Sequence, residues 1–391
     1  MKMDKLLLLY KEEQQRRVAR VTAGMNALGA DAILLADNAS LYYLTGRVFL
    51  GYVYLTAAGD VTCFVMRPVE LDGPEVVYIH KPEDIPSKLE ALPSVRALEL
   101  DALSYNTVMR LAKVMNTKAP VNGSAIMRMA RAIKTEGELK LIRQSGLKQE
   151  YVYRQIPSLY REGMTDIEFQ IEIERLSRLE GCLGQFRISG SSMELFMGNI
   201  IAGDNADAPS PYDFAMGGAG MDPSLPVGAD GTLMKPGMTV MVDVNGNFTG
   251  YMTDMTRVFS LGKISPLAVK AHECSRRIHR ELAAMGTPGT EARALYDRAL
   301  EIAREEELEH YFMGHRQHAK FVGHGLGIEI NELPVIAPRS RDIITPGQVI
   351  ALEPKFVIPG TGAVGVENTY HVTGNGWECL TNAPEEIIEL I

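Results

Sequence analysis

Two stretches decide the fold of this chain, Pro236-Gly-Met-Thr-Val-Met-Val-Asp243 and Pro346-Gly-Gln-Val-Ile-Ala-Leu-Glu353. Each joins a Pro-Gly turn to an apolar strand and ends on an acid seven residues after the proline, so the two form an internal repeat with a shared acidic end. After Asp243, the turn-prone Asn245-Gly-Asn-Phe-Thr-Gly250 leads to a second strand carrying Asp254, and the midpoint of 243 and 254 falls inside that turn. After Glu353, Pro359-Gly-Thr-Gly362 leads to a strand carrying Glu367, and the midpoint again falls inside the turn, at 360. Both acid pairs are therefore predicted to be cross-strand neighbours, about 5 Å apart on one face of a sheet.

Four carboxylates gathered this way repel one another, and each would lose its hydration as the sheet is buried. Bound cations resolve the conflict. Two metals roughly 3.5–4 Å apart, bridged by carboxylates, would neutralise the acids and activate a water between them. Gly323-His324-Gly325 lies between the two repeats, and its flanking glycines let the backbone present an imidazole without crowding, so His324 is the fifth candidate ligand. Any one of these residues alone reads as an ordinary turn acid or core histidine. Their combination in a repeat is what points to a metal site. Oxygen-rich donors with one histidine suit manganese first, with cobalt, iron or zinc as alternatives.

Around this centre the chain is organised as two domains, the natural division for 391 residues. Helical spacing from Lys11 to Leu28, a buried strand over Asp31–Ala36 closed by Asp37-Asn38, and strands at 53–55 and 61–66 around Ala57-Ala-Gly-Asp60 predict an α/β domain over 1–130. From 131 to 391 the expectation is an α+β domain. Capping boxes at Thr135-x-x-Glu138 and Thr165-x-x-Glu168 open two of its helices, Pro266 and Gly286 bracket a third, and Thr290 to Glu309 reads as a fourth. The stretch from Gly198 to Lys235, rich in Gly, Pro and Asp, reads as a long functional loop.

A formal net charge of −9 provides no basic stripe to neutralise phosphates, which argues against nucleic acid and for a small peptide or metabolite as partner. The four cysteines, at 63, 182, 274 and 379, are too scattered for a disulfide framework, so a reducing, cytoplasmic setting is expected. The apolar run Leu6–Tyr10 is short and followed at once by charges, and reads as the start of a helix. Nothing approaches the roughly 20 apolar residues needed to span a bilayer, so no membrane partner is expected.

Asp243, Asp254, His324, Glu353 and Glu367, in this order and context, resemble the ligand set of the aminopeptidase P, prolidase and creatinase family of metallopeptidases. The likeness covers essentially the whole chain, because Arg17 to Gly46, ending in Leu-Tyr-Tyr-Leu-Thr-Gly, is similar to the N-terminal domain carried by this branch. It implies a creatinase-type α/β domain followed by an α+β "pita-bread" catalytic domain. It also implies two divalent metals: Asp243 chelates one, Asp254 and Glu367 bridge both, and His324 with Glu353 completes the second. Glu353 would also shuttle protons, and a bridging hydroxide would attack the carbonyl of an Xaa-Pro dipeptide or of a peptide with proline second. Two-domain relatives commonly form homodimers, so a homodimer is expected.

The sequence also departs from that pattern. The position seven residues after the ligand histidine, usually a second histidine, is Asn331; another family histidine falls near Leu225-Pro226; and an arginine often found two residues before the last ligand is Gly365. An amide at Asn331 can still donate a hydrogen bond to an oxyanion. His315 and His318 are candidate replacements, His318 the preferred one, while Arg187, Tyr212 and Asp213 are candidates to line the substrate pocket. Three functions compete: a Xaa-Pro dipeptidase or aminopeptidase; a non-peptidase relative cleaving a C–N or C–S bond in a small metabolite, which the missing histidines favour; and a catalytically silent binding protein, which has no physical need for four clustered carboxylates.

Overall fold

The computed structural model describes residues 10–92, 96–190, 196–215 and 217–391; the predicted helix start at Leu6 to Tyr10 lies almost wholly outside them. The chain divides into two compact units, Met1–Arg131 and Ala132–Ile391.

In the first unit, helix α1 (Tyr10–Ala27) precedes strand β1 (Ala32–Leu35), which is buried along its whole length. Asp37 does more than close that strand. Its carboxylate accepts the N–H groups of Ala39 and Ser40 and so caps α2 (Asn38–Thr45), satisfying donors the helix cannot pair internally. Strands β2 (Leu50–Thr56) and β3 (Val61–Arg67) form the hairpin predicted around Ala57-Ala-Gly-Asp60. With β4 (Val76–Tyr78), β5 (Arg96–Leu98) and β6 (Val121–Asn122) they complete a six-stranded sheet of order β4-β3-β2-β1-β5-β6. Helix α3 (Tyr105–Val114) packs Leu111 and Val114 into its core, and α4 (Ser124–Ala132) ends the unit.

In the second unit, both capping boxes form. Thr135 opens α5 (Glu136–Gln155) and Thr165 opens α6 (Asp166–Leu179), each threonine accepting from the glutamate's N–H while the glutamate accepts from the threonine's. Helix α7 (Pro266–Met285) ends at Gly286 as read, whereas α8 (Ala292–Glu305) is shorter at both ends than the predicted span. The stretch from Gly198 does not begin as a loop. Gly198–Ala202 is strand β7, buried throughout and paired with β8 (Thr239–Val244), because its short apolar run is completed by a neighbour some forty residues away in sequence.

The two halves of the internal repeat sit in separate sheets. Strands β7, β8, β9 (Thr256–Ser260) and β17 (Ile388–Glu389) make one, in the order β17-β9-β8-β7. Its core takes Tyr153 from α5 and Phe169 and Ile173 from α6. Strands β10 (Gly323–Gly325), β11 (Glu332–Ile336), β12 (Val349–Leu352), β15 (Asn368–Thr373) and β16 (Gly376–Cys379) make the other, in the order β11-β10-β12-β15-β16. Strands β13 (Lys355–Ile358) and β14 (Gly362–Gly365) extend its central hairpin. Beneath them α7 and α8 contribute Ile278, Leu282, Leu295 and Ile302 to a shared core with Ile350, Leu352, Phe356 and Val364.

The register of the second hairpin matches the reading from sequence. Leu352 pairs with Asn368 and Lys355 with Gly365, which places Glu353 opposite Glu367. The first hairpin differs by two residues, since Asp243 pairs with Thr256 and the connecting turn closes through Gly246 and Thr253. Asp254 is thus the diagonal, not the direct, neighbour of Asp243. A shift of two preserves the face, because side chains alternate with period two, so both acids still point to the same side. The hairpins meet where Thr256 and Glu367 exchange backbone hydrogen bonds, at 3.4 and 3.2 Å. The buried Arg257 guanidinium staples that junction, donating to the carbonyls of Thr256 and Glu367 and to the Asn368 side chain.

Candidate metal centre

The five predicted ligand residues come from five elements and converge on one largely buried spot. Asp243 projects from the end of β8, Asp254 from the turn before β9, His324 from β10, Glu353 from the end of β12 and Glu367 from the residue preceding β15. Their donor atoms fall into two triads, Asp254-His324-Glu367 and Asp243-Glu353-Glu367, each within 4.8 Å, with Glu367 common to both. Glycines at 323 and 325 are required by proximity: a Cβ would lie 2.6 Å from the Ala351 carbonyl at the first and 2.1 Å from the Leu333 carbonyl at the second. His324 can therefore sit between β11 and β12 only because its neighbours lack side chains.

Neighbouring groups hold the donors in place. Asp254 is clamped through its own backbone, its N–H donating to Thr369 Oγ1 and its carbonyl accepting from the same hydroxyl, both at 2.8 Å. Thr256 Oγ1 donates to Glu367 Oε2 at 2.7 Å. The Nδ1–H of His324 points to the Gly325 carbonyl at 3.1 Å, which directs Nε2 at Glu353 Oε1, 3.2 Å away, as the nitrogen a metal would take once its proton is lost.

One group in this centre was not anticipated. The Lys355 side chain, fully buried, places its Nζ 2.8 Å from Asp243 Oδ2, 2.9 Å from Glu353 Oε2 and 3.1 Å from Glu367 Oε2. Its three N–H bonds thus find one oxygen from each acid of the second triad. Burial disfavours the ammonium, but Asp243, Glu353 and Glu367 outweigh that and hold its pKa well above the usual lysine range. Burial likewise works against the charge on Glu353, yet Lys355 and His324 hold it down to about 2. For His324 burial opposes protonation, while Glu353 and Glu367 raise its pKa.

Among the described residues no lysine or arginine other than Lys355, through Glu367, pairs with an acid of the first triad. Burial, then the negative charge of Glu353, pushes Glu367 up to about 8. Burial followed by Glu367 and Asp243 raises Asp254 well above the carboxylate range. Glu367 Oε1 is buried and has no hydrogen-bond partner. An orphaned carboxylate oxygen beside an imidazole nitrogen and a second carboxylate is a donor set that fits a divalent cation.

A family model for metallopeptidase family M24 matches residues 140–374, and one for the creatinase/prolidase N-terminal domain matches 17–133. The chain belongs to family M24. Among the relatives of this member is a Xaa-Pro dipeptidase of Pyrococcus horikoshii, 24% identical over 95% of this chain and 98% of its own. Another is an uncharacterised peptidase, YqhT, of Bacillus subtilis, 26% identical over 93% and 97%. A Xaa-Pro dipeptidase structure from Bacillus anthracis shares the fold with a TM-score of 0.81 at 24% identity, covering 96% of this chain and all of its own.

The remaining candidate residues of this M24 chain lie elsewhere or are already engaged. The Asn331 amide is bound at both ends by the backbone of Ser189, accepting its N–H at 2.8 Å and donating to its carbonyl at 2.7 Å. It ties the 187–189 segment to the β10–β11 turn, and Arg187 joins the same contact through its carbonyl, which accepts the N–H of Ile330. His318 is exposed, with Nδ1 2.8 Å from the Phe312 carbonyl. Together with Tyr212 and Asp213 it lines a cavity whose walls include none of the five ligand residues. His315 pairs with Asp207 at 2.9 Å. A trace of Lys355 was available in the sequence: it is the one basic residue in Val349–Ile358, a run otherwise apolar apart from Glu353.

Proposed function

We propose that this chain is a metal-dependent hydrolase of Xaa-Pro dipeptides or short peptides with proline second, using the cluster of Asp243, Asp254, His324, Glu353 and Glu367. The observation that carries the proposal is the convergence of all five donors, with an unpartnered Glu367 oxygen, in a member of a metallopeptidase family. A bound divalent cation supplies Lewis-acid polarisation of the scissile carbonyl and a lowered pKa for water. Asp254, His324 and Glu367 would hold it, with His324 oriented by its Nδ1–H donation to Gly325 so that Nε2 faces the metal. Glu353 is the proton acceptor in this reading: with His324 neutral its Oε1, 3.2 Å from Nε2, is left to accept while Oε2 stays on Lys355.

The oxygen-rich donors favour manganese as working metal, ahead of cobalt, iron or zinc. A homodimer is taken as the assembly by analogy with two-domain relatives, and the cytoplasm as the compartment, in keeping with four unpaired cysteines. No helix among the described residues is long and apolar enough to cross a membrane.

The test is hydrolysis of Xaa-Pro dipeptides, longer Xaa-Pro peptides and non-proline controls by manganese- or cobalt-supplemented protein, with Asp254→Asn as blank. Proline-dependent release by the wild type, lost in Asp254→Asn together with part of its bound metal, supports the reading; a fully active Asp254→Asn refutes it. One observation favours the second reading, cleavage of a C–N or C–S bond in a small metabolite. The Asn331 amide is held by Ser189, with one of its N–H groups committed, and cannot relay a proton, so a peptide oxyanion would meet a different donor set from the histidine-bearing relatives. Bound metal without turnover of any peptide would select it.

A further inference from the structure

The Lys355 ammonium lies within hydrogen-bonding distance of one oxygen from each acid of the triad Asp243-Glu353-Glu367. A divalent metal would take these oxygens at about 2.0–2.2 Å. A cation so placed would have to lie close to Nζ, and two unscreened positive centres at that separation repel strongly in a buried site. The lysine has no open route away. It is fully buried, its backbone N–H and C=O engage Met313, and it lies against Gly365 on the facing strand. At Gly365, with φ +144°, a Cβ would stand 2.6 Å from the Pro354 carbonyl, 2.9 Å from Lys355 Cα and 3.3 Å from Lys355 Cγ.

We propose that Lys355 is a built-in substitute for one of the two metals, so that this chain binds a single divalent cation, at Asp254, His324 and Glu367, while the Asp243-Glu353-Glu367 triad is neutralised by the lysine. Within the triad the ammonium supplies the same net charge as a divalent cation that carries a hydroxide. The inference rests on the metal-holding role proposed above, though not on the identity of the substrate.

The test is metal stoichiometry of the full chain. Protein is loaded with excess Mn2+, desalted, and measured by elemental analysis and native mass spectrometry, with electron paramagnetic resonance to separate an isolated Mn2+ from a spin-coupled pair. The expected result is one Mn2+ per chain with an uncoupled spectrum in the wild type and in Lys355→Arg, and a rise to two, with a coupled spectrum, in Lys355→Ala. Two coupled ions in the wild type overturn the proposal whether or not peptides are cleaved. No bound ion overturns it as well, together with the metal-holding role. One ion in the wild type with no peptide turnover leaves it standing while the peptidase reading fails. If Lys355→Ala does not fold, the wild-type and Lys355→Arg stoichiometries still decide.

Discussion

His279 gives the molecule a calculable acid sensitivity that is separate from its metal ligands. It hangs from α7 into the core with Nδ1 2.9 Å from the Tyr370 hydroxyl and Nε2 2.8 Å from the Val366 carbonyl. A carbonyl can only accept, so Nε2 carries the proton, Nδ1 receives the phenol's hydrogen, and the ring is neutral. Burial first, and then the positive charges of Arg257 and His272, lower its pKa to about 4, against the opposing pull of the Val366 carbonyl and Glu385. In the unfolded chain it titrates near 6.5. Between those values the unfolded state binds more protons than the folded one, so the contribution to stability is complete above about pH 6.5 and is lost as pH falls toward 4. At about 1.36 kcal/mol per pKa unit the loss by pH 4 is roughly 3 kcal/mol.

The substitution His279→Gln keeps a donor and an acceptor but removes the titration. Unfolding of both proteins, followed by circular dichroism against denaturant or temperature at pH 7.5, 5.5 and 4, should show the wild type losing about 3 kcal/mol relative to the variant. For a unit of this size that is ~6 °C in the difference between the two melting temperatures. Titrating acids remote from His279 cancel in that difference, whereas Glu385, whose pKa His279 lowers, does not. A gap that stays constant from pH 7.5 to 4 would refute the assignment of a buried, neutral His279.

Two other perturbations test packing on either side of the site. Lys134 and Glu332 form an ion pair at 2.8 Å with both side chains almost wholly buried. Lys134→Met removes the ammonium from the buried carboxylate, which still accepts the Glu329 N–H, and is expected to cost about 3 kcal/mol in thermal unfolding, with Lys134→Met/Glu332→Leu recovering part of it. A single mutant that melts with the wild type would show the pair to be unimportant. Thr165→Ala removes the hydroxyl half of the capping box on α6 and should cost about 1 kcal/mol in chemical denaturation; no measurable loss would mean that the glutamate half suffices.

Local periodicity and turn chemistry carried much of this protein in the sequence. Thr135 and Thr165 open their helices because the partner glutamate is three residues away, and the β2–β3 hairpin follows from a Gly-Asp turn between apolar runs. The Glu353–Glu367 register was legible for the same reason: a tight turn fixes the pairing of the strands on either side of it. What sequence order alone does not carry is decided by contacts between distant segments. Gly198–Ala202 becomes a strand only because β8 is there to pair with it, and Asp254 falls two residues out of direct register because the turn closed by Gly246 and Thr253 is centred further along the chain. Asn331 is an available amide in the sequence and a held one in the fold, where Ser189 takes both its ends. Lys355 is the plainest case. Sequence alone determined which acids and which imidazole would assemble, since each lies in or beside the turn or strand that presents it. Only the tertiary structure decided that a lysine twelve residues before Glu367 would share their space, because burying four like charges selects whatever cation three-dimensional packing brings within reach.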